Sequence, residues 1–368
     1  MMNIQMTDLN AQYESIKDEI DQAIKEVLNE SGFILGKQVS LFEKEVAEYF
    51  GVKFAVGVAS GTDALVLSLA GLGIKEGDEV ITTPFTFIAT AEAISRVGAR
   101  PVFCDIDEKT YNIDAQEISS KINGRVKAII PVHLYGLPCQ MDEILKVAKT
   151  NNLKIIEDCA QSFGSEYAGK KAGSFGECGC LSFFPAKTLG CYGDGGMVVT
   201  DDEALVANLR MLRNHGSSNK YIYSVHGFNS RLDALQAAVL RVKLKYADKW
   251  IKQRIHNAEY YNKQLSGIAA ITLPEIPNNS KHSFNYYTIL IKSGRENIQE
   301  RLMAKNIPSA VYYPLCLHLQ EVYKDLKYKP GDFPVAEKNQ DRVLSLPMYP
   351  ELGKSQIDMV VKAIKESL

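Results

Sequence analysis

Lys187 closes the run Ser182-Phe183-Phe184-Pro185-Ala186-Lys187, and Gly193-Asp194-Gly195-Gly196 follows a short way on. Aromatic, proline- and glycine-rich surroundings with few charges desolvate an ammonium group. They lower its pKa and favour the neutral amine that attacks an aldehyde. An exposed loop lysine is the competing reading, but no other lysine here stands between an aromatic run and a glycine cluster. Asp158 ends a strand otherwise made of Ile155, Ile156 and Glu157, with Gln161 just beyond. A carboxylate at such a point needs a partner or water. It could sit against a pyridine nitrogen and keep it protonated, or it could be a helix cap or a solvated strand end. Ser60-Gly61-Thr62-Asp63 lies between a strand and a helix. There Gly61 allows close backbone approach, and free N–H groups at the helix start suit a phosphate. The competing reading is a plain turn with Thr62 as N-cap. In Pro84-Phe85-Thr86-Phe87, an aromatic at a strand end could stack on a planar group, or it could fill the core.

A lysine for an imine, an acid for a ring nitrogen, a phosphate cradle and a stacking ring are the parts that pyridoxal 5'-phosphate (PLP) chemistry requires. The elements that would position them follow from the pattern between about residues 50 and 200. Short apolar runs are expected as strands at 54–58, 79–82, 101–105, 128–132, 154–158 and 195–200. Helical stretches alternate with them from Ala64 to Leu69, Ala89 to Val97 and Asp142 to Thr150. Strands apolar throughout and alternating with helices predict an α/β fold, with a mostly parallel central sheet covered by helices. Ligands then collect at the carboxyl ends of the strands. Leu235 to Ala258 reads as one long helix. Beyond it, strands at 286–291 and 309–313 and helices at 295–305 and 356–366 predict a smaller C-terminal α+β lobe. The expected division is 1–245 for a large cofactor-binding domain with an N-terminal helix, and 246–368 for the small domain.

The 368 residues exceed one ordinary domain. The net charge of -2 suggests no polyanion-binding surface, so nucleic acid is not an expected partner. Met1–Asn10 lacks the pattern of a signal peptide, and no apolar stretch is long enough to span a bilayer. A cytoplasmic enzyme without a membrane partner is therefore the expectation. Seven scattered cysteines read as reduced thiols. Cys178 and Cys180 are spaced too closely for an ordinary zinc pair, so no metal is expected. A nicotinamide dehydrogenase would also have a parallel sheet. However, Gly71, Gly73 and Gly77 have the wrong spacing for its glycine motif and follow a helix.

The segments Ala59–Leu65, Glu157–Ser162, Ser182–Gly190 and Gly227–Asp233 resemble those of the DegT-type sugar aminotransferases. They occur in that family's order, and the resemblance extends over the whole chain to Tyr313-Pro314 and Leu344–Pro347. It implies fold type I and a homodimer with active sites at the subunit interface. By it, Lys187 would hold PLP covalently and Asp158 would pair with the pyridinium nitrogen. Gln161 would lie near the ring hydroxyl and Phe85 would cover the ring. Gly61, Thr62 and Ser182 would hold the phosphate, with Asn229 reaching in from the neighbouring subunit. Arg231, Tyr313 and His318 are the substrate-binding candidates, a structural histidine being the competing reading for His318. The amino donor is expected to be L-glutamate and the acceptor a nucleotide-linked keto sugar, with Lys187 moving the proton. The 182–196 run most resembles the branch acting on UDP-2-acetamido-3-keto sugar acids. The alternatives are a dTDP-3-keto-6-deoxyhexose 3-aminotransferase and a non-catalytic regulator. Both enzyme readings serve surface polysaccharide or glycan synthesis. Tyr312 stands where the family often has histidine. The sugar dehydrases of the family have histidine in place of the lysine, so Lys187 favours transamination.

Overall fold

A computed structural model describes residues 4–368. The expectation for Met1–Asn10 therefore falls partly on residues 1–3, outside those described. Seven strands form the main sheet: β1 (Phe54–Val58), β2 (Glu79–Thr82), β3 (Arg100–Phe103), β4 (Val126–Ile129), β5 (Lys154–Asp158), β6 (Cys178–Ser182) and β7 (Gly196–Thr200). Their order is β1-β7-β6-β5-β4-β2-β3, and β7 alone runs antiparallel to its neighbours. Val80, Ala128, Ile156, Cys180 and Val198 form one apolar layer with the helix Gly61–Gly71, whose residues Ala64 to Leu69 are all buried. A helix buried all round has no solvent face to display, which accounts for an apolar run interrupted only by the buried Ser68. The other face of the sheet packs on the helices Gly36–Phe50 and Ala234–Leu244. The chain is thus an α/β protein with a mostly parallel, doubly covered sheet.

The smaller lobe is an antiparallel sheet of Ile271–Thr272, Tyr287–Ile291 and Val343–Leu346, with helices Ala247–Leu265, Arg295–Ala304 and Lys354–Lys365. Its core centres on Tyr261 stacked on Tyr287, at 4.6 Å between ring centroids. Ile4 is buried in this same core, and Met348 N–H donates to the Met6 carbonyl. The first described residues therefore pack with the small lobe and not with the sheet domain expected to contain them.

Two expected elements differ. The helix read over 235–258 is two helices, Ala234–Leu244 and Ala247–Leu265, broken at Lys245–Tyr246. The first buries Ala237 and Leu240 against the main sheet, whereas the second buries Ala258, Tyr261 and Leu265 in the small lobe. One straight rod cannot serve both cores. The break lies where the domain division was expected, and the division is kept as a proposal. The strand read over 309–313 reduces to a single bridge between Ala310 and Ser345. Past it the backbone is diverted, because the Tyr135 hydroxyl donates to the Tyr312 carbonyl and the Tyr313 ring turns into the cavity described next. Strand β6 was not foreseen.

Candidate active site

A cavity of about 470 Å³ opens at the carboxyl ends of β5 and β6. Its wall includes Gly61, Thr62, Asp158, Gln161, Ser182, Lys187 and Tyr313, candidates drawn from segments far apart in the chain. Ser60 is the N-cap of the helix Gly61–Gly71, and its hydroxyl accepts from Asp63 N–H at 3.1 Å. Thr62, expected as a possible cap, lies inside the first turn. The Gly61 and Thr62 N–H groups precede any intrahelical acceptor and point out of the helix end. A Cβ on Gly61 would lie 2.6 Å from the Ser182 Cβ, so only glycine lets the helix start and the β6 end meet. Ser230 Oγ donates to Asp63 at 2.8 Å and accepts from Ala59 N–H at 3.3 Å, which ties the 227–233 segment to this turn.

Asp158 is buried. Its carboxylate accepts from the Thr90 hydroxyl at 2.8 Å and from Ala160 N–H at 3.1 Å. Burial raises its pKa, while those two donors and the charge of Lys187 oppose the rise. Lys187 sits in the cavity wall with Nζ 5.8 Å from the centre of the Tyr286 ring. Burial lowers its pKa to about 8, opposed by Asp158. Roughly a tenth of it is then free amine at pH 7, against fewer than about one in a thousand for an ordinary lysine. The amine and the carboxylate are close enough to perturb one another across one cavity. Gln161 accepts from Tyr135 N–H at 2.8 Å and donates to the Tyr313 hydroxyl at 2.9 Å, so its amide orientation is set from both ends.

Three expectations need correction for this chain. Phe85 has no exposed surface and packs among Phe103, Val132 and Leu134, so it cannot cover a ligand in the cavity. Phe87 is 55% exposed, lines the cavity and lies 6.1 Å from the Tyr313 ring. His318 is buried outside the cavity wall, paired with Glu337 at 3.0 Å and packed on Phe333 at 4.7 Å, as a structural histidine would be. Arg231 is also absent from the wall, because its Nη1 donates to Asn214 Oδ1 at 3.1 Å. Asn229 is exposed, on the same stretch of surface as Phe228 and the hairpin of Ser217–Asn219 and Ile222–Tyr223.

Sequence reasoning missed Thr90 and Tyr286, and it singled out Tyr312 without giving it a role. Thr90 meets Asp158 only through the fold, 68 positions along the chain, and no local signal marks it. The rings of Tyr286 and Tyr312 lie 4.3 Å apart at a tilt of 33° and form the aromatic side of the cavity with Tyr313 and Phe87. The aromatic run Tyr312-Tyr313 before Pro314 was the available signal for that side. The residues present fit PLP on structural grounds. They provide a partly neutral amine, a buried acid facing it, unused N–H groups beside the Ser182 hydroxyl, and an aromatic wall for a planar ring.

The model of the DegT/DnrJ/EryC1/StrS aminotransferase family matches residues 14–365. The chain is 46% identical over 365 residues to UDP-N-acetyl-3-dehydro-alpha-D-glucosamine 3-aminotransferase of Acidithiobacillus ferrooxidans, covering 99% of this chain and 98% of the relative. It is 45% identical over 367 residues to a pleiotropic regulatory protein of Geobacillus stearothermophilus, with the same coverage of 99% and 98%. The crystal structure of DesV from S. venezuelae in complex with a ketimine intermediate is similar at a TM-score of 0.97. That match has 40% identity and covers 100% of this chain and 98% of the other.

Proposed function

The chain belongs to the DegT/DnrJ/EryC1/StrS aminotransferase family, and on that premise we propose that it transfers an amino group from an amino acid to a nucleotide-linked 3-keto sugar. PLP is the cofactor; when bound, its ring absorbs the electron pair released as the donor's α-hydrogen leaves. The observation that carries the reading is the pairing of Lys187 and Asp158 across one cavity, each shifted by burial.

In this reading Lys187 would hold the cofactor covalently, and its amine would be the group that takes and returns the proton at the donor's α-carbon. Its pKa near 8 suits it to give and take that proton around neutral pH. Asp158 holds the ring nitrogen protonated and gains the counter-charge that burial otherwise denies it. Thr90 and Ala160 N–H fix the direction of that carboxylate. Gly61, Thr62 and Ser182 would take the phosphate. Phe87, rather than Phe85, would cover the ring. Gln161 would meet the ring hydroxyl, with Tyr313 holding it from the far side.

For the acceptor we favour a UDP-linked 2-acetamido-3-keto sugar, with L-glutamate as the donor. This is supported by the 46% identity to a relative named for a UDP-N-acetyl-3-dehydro sugar. A carboxylate on that sugar is supported by the resemblance of the 182–196 run and by 41% identity over 361 residues to a Pseudomonas aeruginosa relative named for UDP-2-acetamido-2-deoxy-3-oxo-D-glucuronate. Such a product would enter surface polysaccharide or glycan synthesis in the cytoplasm. No helix among the described residues is long and apolar enough to cross a membrane. We also propose a homodimer whose shared sites receive Asn229 from the neighbouring subunit. Exposed Phe33, Ile34, Tyr221, Ile222, Tyr223 and Phe228 support it, since side chains of this kind seek cover.

The test is purified protein with PLP, glutamate and a panel of UDP- and dTDP-3-keto sugars, read by mass spectrometry. Amination of the UDP-2-acetamido substrate is expected, together with a visible absorption band that Lys187→Ala abolishes. A band without any aminated sugar would remove the sugar reading. It would favour the regulator reading, which the Geobacillus relative's name supports. Lack of a band would remove the cofactor reading as well.

A further inference from the structure

Behind the cavity wall lies a second polar cluster that the mechanism does not use. Side chains alternate along β5, so Asp158 faces the cavity and Glu157 the opposite side. Glu157 is fully buried, yet among the described residues no lysine or arginine pairs with it. Four N–H donors fill it instead. Oε1 accepts from Phe175 N–H at 2.7 Å and Gly176 N–H at 2.9 Å. Oε2 accepts from Gly173 N–H at 2.7 Å and from His133 Nε2 at 2.9 Å. His133 Nδ1 accepts from Cys139 N–H at 3.0 Å, so the ring proton sits on Nε2 and the imidazole is a neutral donor. Its own backbone N–H donates to the Asp158 carbonyl at 3.1 Å, and Asp158 N–H donates to Pro131 at 2.9 Å. His133 thus grips residue 157 through its side chain and residue 158 through its backbone. Gly176 must be glycine for this, because a Cβ there would lie 2.5 Å from the Ile155 carbonyl.

His133, Glu157 and Cys159 place their ligand-type atoms within 4.8 Å of one another, a grouping that could suggest a metal. The lone pairs of the carboxylate and both imidazole nitrogens are already engaged, however, so an ion would have to break several buried hydrogen bonds to enter. The cluster's effect is mechanical. We propose that Glu157 and His133 are a positioning pair that fixes the end of β5 and so holds the Asp158 carboxylate in register with the cofactor ring. This rests on the reading that Asp158 faces that ring. If either partner is lost, buried N–H groups are orphaned and the strand end relaxes, which loosens the carboxylate.

The experiment uses full-length wild type, Glu157→Gln, His133→Phe, His133→Gln and Asp158→Asn, each reconstituted with PLP. The pH midpoint of the visible band is titrated, with thermal unfolding and kcat measured alongside. The expected result is that Glu157→Gln and His133→Phe unfold cooperatively and retain PLP. Their band midpoints should move by about one pH unit in the direction taken by Asp158→Asn. Their kcat should fall roughly tenfold, with little change in KM. His133→Gln keeps an N–H for the carboxylate and should lie nearer wild type; if it is as impaired as His133→Phe, the hydrogen bond is not the cause. Folded variants with wild-type midpoints and kcat overturn the proposal. Should Glu157→Gln fail to fold, His133→Phe decides, since it leaves three backbone donors on the carboxylate. A wild type with no visible band removes the cofactor reading itself, which sets that failure apart from a failure of the pair.

Discussion

Burial acts on the two ends of the cavity in opposite senses, raising the pKa of Asp158 and lowering that of Lys187. For Lys187 this has a consequence for stability that needs no substrate. In the folded chain without cofactor the group gives up its proton near pH 8; in the unfolded chain it does so near its ordinary 10.5. Between those values the unfolded chain binds more protons, so the contribution of this residue to stability rises with pH through that window. Below about pH 8 the burial penalty is present in full. Lys187→Met without cofactor is therefore expected to melt higher than wild type at pH 7, with the gain shrinking towards pH 10.5. A melting-temperature difference that is the same at both pH values would contradict this. The same chemistry made Lys187 and Asp158 legible in the sequence, because charged groups in apolar surroundings require an explanation. Phe85 and Phe87 were not separable in that way. Both are aromatic, two residues apart at a strand end, and only packing shows that one fills the core and the other faces the cavity.

Strand β6 and the helix Gly61–Gly71 meet so closely that their junction tolerates no side chain at position 61. In the proposed site this junction is also the phosphate cradle. Gly61→Ala should push the helix start away from Ser182 and raise the PLP dissociation constant roughly tenfold or more. Equilibrium dialysis against PLP would show it, and an unchanged constant would argue against the cradle. At the scale of elements the parallel strands were readable because each is an apolar run bounded by turns. Strand β6 was not, since Cys178-Gly179-Cys180-Leu181-Ser182 has small residues and no β-branched side chain. Gly179 is required there by the backbone of Gly173, 2.5 Å from where a Cβ would be, and this is a tertiary constraint without a local sign. The break at Lys245–Tyr246 escaped for a similar reason: both flanking segments have good helical periodicity, and only the presence of two separate cores separates them.

For the molecule as a whole, the proposed sharing of sites between two subunits can be tested by complementation. Co-expressed Lys187→Ala and Asn229→Ala chains, each inactive alone, should form mixed dimers with one intact site. Random pairing predicts about a quarter of wild-type activity. If no activity returns although mixed dimers are isolated, Asn229 does not serve the neighbouring site. The seven cysteines offer a means of observing the subunits directly. All are buried as free thiols, and burial pushes Cys159 and Cys191 up to about 11. Alkylating reagents attack thiolates, so the native chain should remain almost unmodified by maleimide at neutral pH. A cysteine introduced at Met303, which is 70% exposed on the small-lobe helix Arg295–Ala304 and is not among the side chains proposed to meet the other subunit, would then be the one fast-reacting position. A dye attached there would be a clean reporter for watching subunits exchange, without first stripping the protein of its native sulfur.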